Sequence, residues 1–234
     1  MATQDKLILY TNHICPWAHR AHIALEELKV PYEEVIIDLS KPRTAEYLQI
    51  NPRGLVPALS YNGEIITESA IVAQFLADRY PSHLVPPSDA PGGALRRARI
   101  AFFVDAYFSK VVNVLLGLYS AKTEEAQNAA AEKAVENLVK EVEPLLADAN
   151  PFFGGSDKLT LAEVLTASFV IRLKSASLAG IYPKSIWAAI EAKAPNFHKW
   201  AEAVVAHPSV TSIWNEEKVL EITKSRLEKA RENA

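Results

Sequence analysis

The stretch from Lys6 to Arg20, KLILYTNHICPWAHR, leaves its backbone few choices. Leu7-Ile8-Leu9-Tyr10 is an apolar run of the kind that forms a buried strand in a parallel sheet. A polar loop, Thr11 to His13, separates it from Cys15-Pro16-Trp17-Ala18, which opens a predicted helix. Pro16 suits the first helical position, because its missing N–H has no partner there and its φ is already helical. Cys15 then stands at the helix N-terminus, where free N–H groups and the positive dipole end favour a thiolate. His13, His19 and Arg20 are expected to add positive charge nearby.

Cys15 is also the single cysteine of the 234 residues. An intrachain disulfide is therefore excluded, and a reducing, cytoplasmic setting is expected. Ala18 occupies the place of the second thiol of a C-x-x-C pair, so redox chemistry at Cys15 would need an external thiol. The alternative is a buried structural cysteine. A net charge of −3 gives no reason to expect nucleic-acid binding. The N-terminal MATQDK has no signal-peptide core, and no apolar run is expected to reach the length that spans a bilayer. No cluster of residues has metal-ligand spacing, and no metal is expected.

Further along, Tyr32 to Asp38 predicts a second strand and Lys41 to Leu48 a short helix. Asn62-Gly63 between two apolar runs predicts a type I′ hairpin. Glu68-Ser69 precedes a helical stretch to Tyr80, so residues 1–82 form a β-α-β-α-β-β-α unit. A Pro/Gly-rich connector, 83–93, leads into an all-helical part, 94–234, with no convincing strand pattern. Its predicted helices run from 94 to about 118, from Thr123 on, and near 160–176, 184–193, 195–206 and 216–232, the last capped by Asn215. Thr160-Leu161-Ala162-Glu163 has the spacing of a capping box. A hydroxyl and free N–H groups at Ser69 would suit a carboxylate, and Glu68 an ammonium; a plain helix cap is the alternative.

CPWA after the first strand, NPRGLVPAL before the hairpin, TESAI opening the third helix and a helical remainder together resemble a glutathione transferase. The fold implied is a thioredoxin-like α/β domain followed by an all-α domain. Cys15, in place of a Tyr or Ser, is similar to the omega class, as is the extra helix after Trp214. The resemblance implies glutathione as co-substrate and Cys15 as the nucleophile that forms a mixed disulfide with it. Val56, before a cis Pro57, would pair with the cysteinyl backbone, and Glu68 and Ser69 would hold the γ-glutamyl group. Lys41, one residue out of register, or Arg53 would meet the glycyl carboxylate. Pro16 and Trp17 complete the glutathione site. The second substrate, a small hydrophobic or disulfide compound, would lie between Trp17 and the stripe of Phe103 and Tyr107, whose alternative is hydrophobic core.

Thiol transfer follows as the expected activity: reduction of mixed disulfides or glutathionyl adducts, with dehydroascorbate a further possibility. Conjugation to electrophiles, or a non-enzymatic glutathione-binding regulator, are the alternatives. CPWAHR also resembles the xi-class glutathionyl-hydroquinone reductases, which are longer chains. A homodimer is the family habit. In place of the family's usual Thr-x-x-Asp box this chain has Glu163.

Overall fold

A computed structural model describes residues 5–232. The first half contains β1 (Leu7–Thr11), α1 (Pro16–Leu28), β2 (Glu33–Ile36), α2 (Ala45–Ile50), β3 (Ala58–Tyr61), β4 (Glu64–Thr67) and α3 (Ser69–Arg79). The sheet order is β2-β1-β3-β4. β1 runs parallel to β2, pairing Ile8 with Glu33, and antiparallel to β3, pairing Leu9 with Leu59. This is the expected thioredoxin-like order, although β1 has one antiparallel neighbour. Its side chains alternate, with Leu7, Leu9 and Thr11 buried. The turn between β3 and β4 places Asn62 at φ 52° and Gly63 at φ 95°, both left-handed as a type I′ hairpin requires.

One short helix starts later than its sequence suggests. The Ser40 hydroxyl and N–H both donate to the Asp38 carboxylate, which occupies that residue in a turn of its own. Thr44 caps α2 instead, accepting from the N–H of Tyr47 at 3.2 Å.

The helical half follows as α4 (Gly93–Ala106), α5 (Asn113–Leu116), α6 (Glu124–Asn137), α7 (Leu161–Leu178), α8 (Ser185–Lys193), α9 (Pro195–Val205), α10 (Pro208–Thr211) and α11 (Glu216–Glu232). Asn215 caps α11 as expected, accepting from the N–H of Lys218 at 3.0 Å. Between α4 and α5 the chain stays helical, widening to a π turn at Tyr107–Val112. The continuous stretch Gly93–Tyr119 is thereby long and apolar enough, by length and composition, to cross a membrane, contrary to expectation. Here it packs as a core helix, with Ile100, Phe103, Tyr107 and Val111 buried.

The two halves share one apolar core. Leu9, Leu25, Val72 and Leu76 from the first half join Phe103, Val164, Phe197 and Trp200 from the second. The Pro/Gly-rich connector is pinned to this core: Leu84 is fully buried, and its carbonyl accepts from the N–H of Leu161 at 2.7 Å. At the centre lies α7, apolar on nearly every face because it is surrounded on nearly every side.

The start of α7 is fixed by a buried carboxylate. Glu163 accepts from the backbone N–H and hydroxyl of Thr160, both at 2.7 Å, closing the predicted capping box. It also accepts from the Phe153 N–H at 2.8 Å and from Trp200 Nε1 at 2.7 Å. Removing it would strand these donors out of reach of water. Glu163→Ala is therefore expected to lower the unfolding free energy by about 3 kcal/mol or more, read from urea denaturation against the parent chain.

Candidate functional site

Cys15 occupies the N-cap position of α1, with extended backbone (φ −73°, ψ 120°) and Pro16 at the first helical position. The turn before it is self-supporting. The carbonyl of Asn12 accepts from the Cys15 N–H at 3.0 Å, and its side-chain oxygen accepts from the Ile14 N–H at 3.0 Å. The thiol is partly exposed and points towards the carbonyl of Val56, with Sγ at 3.9 Å. The Val56–Pro57 peptide is cis. Tyr47 and Asn51 hold the neighbouring carbonyl of Leu55 at 2.5 and 2.8 Å, anchoring this loop from α2.

Cys15 opens into a cleft of about 510 Å³ lined by Trp17, Arg53, Val56, Pro57, Glu68 and Ser69, together with Arg20 and Arg43. The sequence-derived residues Cys15, Trp17, Val56, Pro57, Glu68 and Ser69 thus meet in one place. Glu68 is held at φ 66° just ahead of α3, and no side chain caps that helix. The first-turn N–H groups of α3 are left for an anion. Ser69 stands within the first turn rather than at the cap, and its hydroxyl accepts from Arg20 at 3.0 Å. Glu68 is paired with Arg53.

Four expectations are corrected. Lys41 does not line the cleft; it is exposed and paired with Asp38 at 3.2 Å. Arg43 faces the cleft instead, its Nε donating to the Gly54 carbonyl at 2.9 Å. Pro16 lies on the other side of Cys15, lining a smaller cavity of about 110 Å³. Phe103 is fully buried against Phe153 and Trp200, so it belongs to the core. His19 supplies no charge: burial holds its pKa well below the usual value, and its Nε2 donates to the Val210 carbonyl at 2.9 Å.

Tyr107 is also fully buried, yet it lines the 110 Å³ cavity with Ile14, Phe169, Arg172 and Tyr182. Its hydroxyl has no hydrogen-bond partner among the described residues, and burial pushes the phenol pKa up. The aromatic neighbours of Trp17 are Phe108 and Phe169, at ring separations of 5.6 and 4.7 Å. Helical spacing alone did not single them out from the rest of the apolar stripe.

Two arginines, the buried Arg20 and the partly buried Arg172, supply positive charge here. Arg20 sits under Trp17 and Phe108, its guanidinium carbon 4.7 and 4.4 Å from the ring centroids, and donates to the Leu165 carbonyl at 2.7 Å. Burial lowers its pKa to about 9. Arg172 donates to the carbonyls of Ser168 and Ile14 at 2.7 and 3.1 Å and to His19 Nδ1 at 3.2 Å. Burial brings Arg172 down to about 10, and the largest opposing influence is Cys15. No sequence signal separates Arg172 from Lys174, the other basic residue of α7.

Residues 14–79 match the family model described as "Glutathione S-transferase, N-terminal domain". The chain is 28% identical over 176 residues to glutathione S-transferase omega-1 of Mus musculus, covering 75% of this chain and 70% of that one. In structure it is similar to glutathione transferase Omega 1C from Trametes versicolor, with a TM-score of 0.82, 27% identity and coverage of 97% and 98%. A rice transferase, OsGSTU1, solved in complex with glutathione, gives a TM-score of 0.82 at 26% identity, covering 97% and 99%.

Arg20→Met keeps most of the bulk beneath Trp17 but removes the donors to Ser69 and to the Leu165 carbonyl. Glutathione binding, measured by calorimetry, is expected to weaken about tenfold, the equivalent of one hydrogen bond to a charged group.

Proposed function

We propose that this chain, which belongs to the glutathione transferases and has omega-class relatives, is a glutathione-dependent thiol transferase acting through Cys15. The observation that carries this reading is the lone thiol at the head of α1, open to a cleft whose far wall is an uncapped helix N-terminus.

The cleft suits the tripeptide chemically. The first-turn N–H groups of α3 and the Ser69 hydroxyl, itself backed by Arg20, match the γ-glutamyl carboxylate. Glu68 offers a carboxylate for the γ-glutamyl ammonium. The Val56 backbone faces the cysteinyl part, next to Cys15. Arg43, rather than Lys41, is the cationic side chain on the cleft for the glycyl carboxylate, since Arg53 is paired with Glu68.

In the first step the Cys15 thiolate attacks the glutathionyl sulfur of a mixed disulfide. The substrate sulfur leaves with the bonding pair and takes a proton from water, and Cys15 carries glutathione. A second glutathione thiolate attacks that bond, releasing oxidised glutathione and restoring the Cys15 thiolate. The positive dipole end of α1 and the Arg172 guanidinium both act on the Cys15 sulfur in these steps.

A homodimer accompanies this reading. Large apolar side chains stand in solvent on α3 and α4: Ile71 is 57% exposed, Leu95 68% and Phe102 61%. Single exposed apolar residues are ordinary, but several on adjoining helices suit a partner surface.

Cys15→Ala is expected to abolish glutathione-dependent reduction of a small mixed disulfide while glutathione still binds. Activity surviving that substitution would overturn the reading. Cys15→Ser, offering a hydroxyl to glutathione's own sulfur, is expected to gain conjugation of an aryl halide; rates at or below those of the parent would count against it. Phe102→Glu should shift the chain from dimer to monomer in light scattering coupled to size exclusion.

A further inference from the structure

Away from the cleft, three side chains from three elements converge beside the turn that carries Cys15. His13 lies in the loop after β1, His22 on the buried face of α1, and Glu34 in β2. His13 Nε2 is 2.7 Å from Glu34 Oε1, and His22 Nε2 is 3.4 Å from that same oxygen. All three ligand atoms lie within 4.8 Å of one another. We propose that His13, His22 and Glu34 form a binding site for a divalent first-row transition metal.

Two imidazoles and one carboxylate make a donor set that such metals accept, with the remaining positions open to water. Metal–ligand distances of about 2.0–2.2 Å require ligand atoms roughly 3.3 Å apart. Both pairs that share Glu34 are already close to that, so a small movement of His13 closes the set. An exposed histidine can make that movement, since the His13 side chain is 42% accessible. The same exposure gives the ion its entry path.

His22 is prepared from behind. Its Nδ1 is 3.2 Å from the Tyr32 hydroxyl, the outer hydrogen bond that orients a ligating histidine and fixes its tautomer. Thr11 Oγ1 lies 2.8 Å from His22 Nε2 and must release that nitrogen when the metal arrives.

The site ties β2 to the Cys15 turn. All four residues of β2 are exposed, so this edge strand has little apolar burial of its own to hold it. A bound ion would fasten it to both the turn and α1. The spacing 13, 22, 34 resembles no metal motif, because the convergence is made by the parallel pairing of β1 and β2.

The test is a Zn²⁺ titration of the full chain against a chromophoric chelator, in a Cys15→Ser background so that no thiol can bind the ion. One equivalent per chain is expected. His13→Ala and Glu34→Gln, both at accessible positions, should each weaken it tenfold or more. Zn²⁺ should raise the thermal midpoint of the Cys15→Ser chain and of neither double variant. Affinity unchanged in His13→Ala and Glu34→Gln, or absent from the Cys15→Ser chain, would overturn the proposal.

Discussion

Two arginines, the buried Arg20 and the partly buried Arg172, one from each half of the chain, reach across the interface to backbone carbonyls of the other half. Arg20 of α1 donates to Leu165 in α7, and Arg172 of α7 donates to Ile14, the residue before Cys15. Neither hydrogen-bonds a carboxylate among the described residues; each charge is spread over carbonyls and aromatic faces, joined by the Ser69 hydroxyl for Arg20 and the His19 ring for Arg172. Buried charge is tolerable only where its donors are used. The relative placement of α1 and α7 is thus fixed by polar geometry as well as by apolar packing. The position of the Cys15 turn follows from both.

The site inherits its character from that arrangement. The same guanidinium that binds Leu165 also holds Ser69, so the mouth of α3 is coupled to the domain interface. Trp17 lies over Arg20 and against Phe108 and Phe169, giving the cleft an aromatic wall backed by positive charge. His19, a neutral bridge between Arg172 and Val210, joins α10 to the assembly. A polar network of this kind is stable when every member is satisfied. The Tyr107 hydroxyl is an exception, buried in the small cavity on the far side of Cys15.

Much of this was legible in the residues. The strand, the Pro16 helix start, the Asn62-Gly63 hairpin and the Thr160–Glu163 box are local signals. Each is set by the φ a residue can adopt or by a hydrogen bond within four residues, and each has its expected place. Where local signals competed, the neighbours decided. Ser40 is engaged by Asp38, so α2 is capped by Thr44 and begins at Ala45. Phe103 and Trp17 both belong to aromatic stretches, yet one is core and the other is 41% exposed. Helical spacing states which residues share a face; it does not state what that face meets.

The sequence by itself determined the element order, the thiol at a helix head and the helix mouth around Glu68 and Ser69, because those depend on short-range backbone chemistry. Only the tertiary structure decided that Arg43 rather than Lys41 turns to the cleft, and that His19 is buried and neutral. It alone brought Arg172 to Cys15 and His13 to His22 and Glu34. Those outcomes depend on burial and on contacts between segments distant in the chain. The energy of a charged side chain is set by what surrounds it, and its surroundings exist only after the chain has packed.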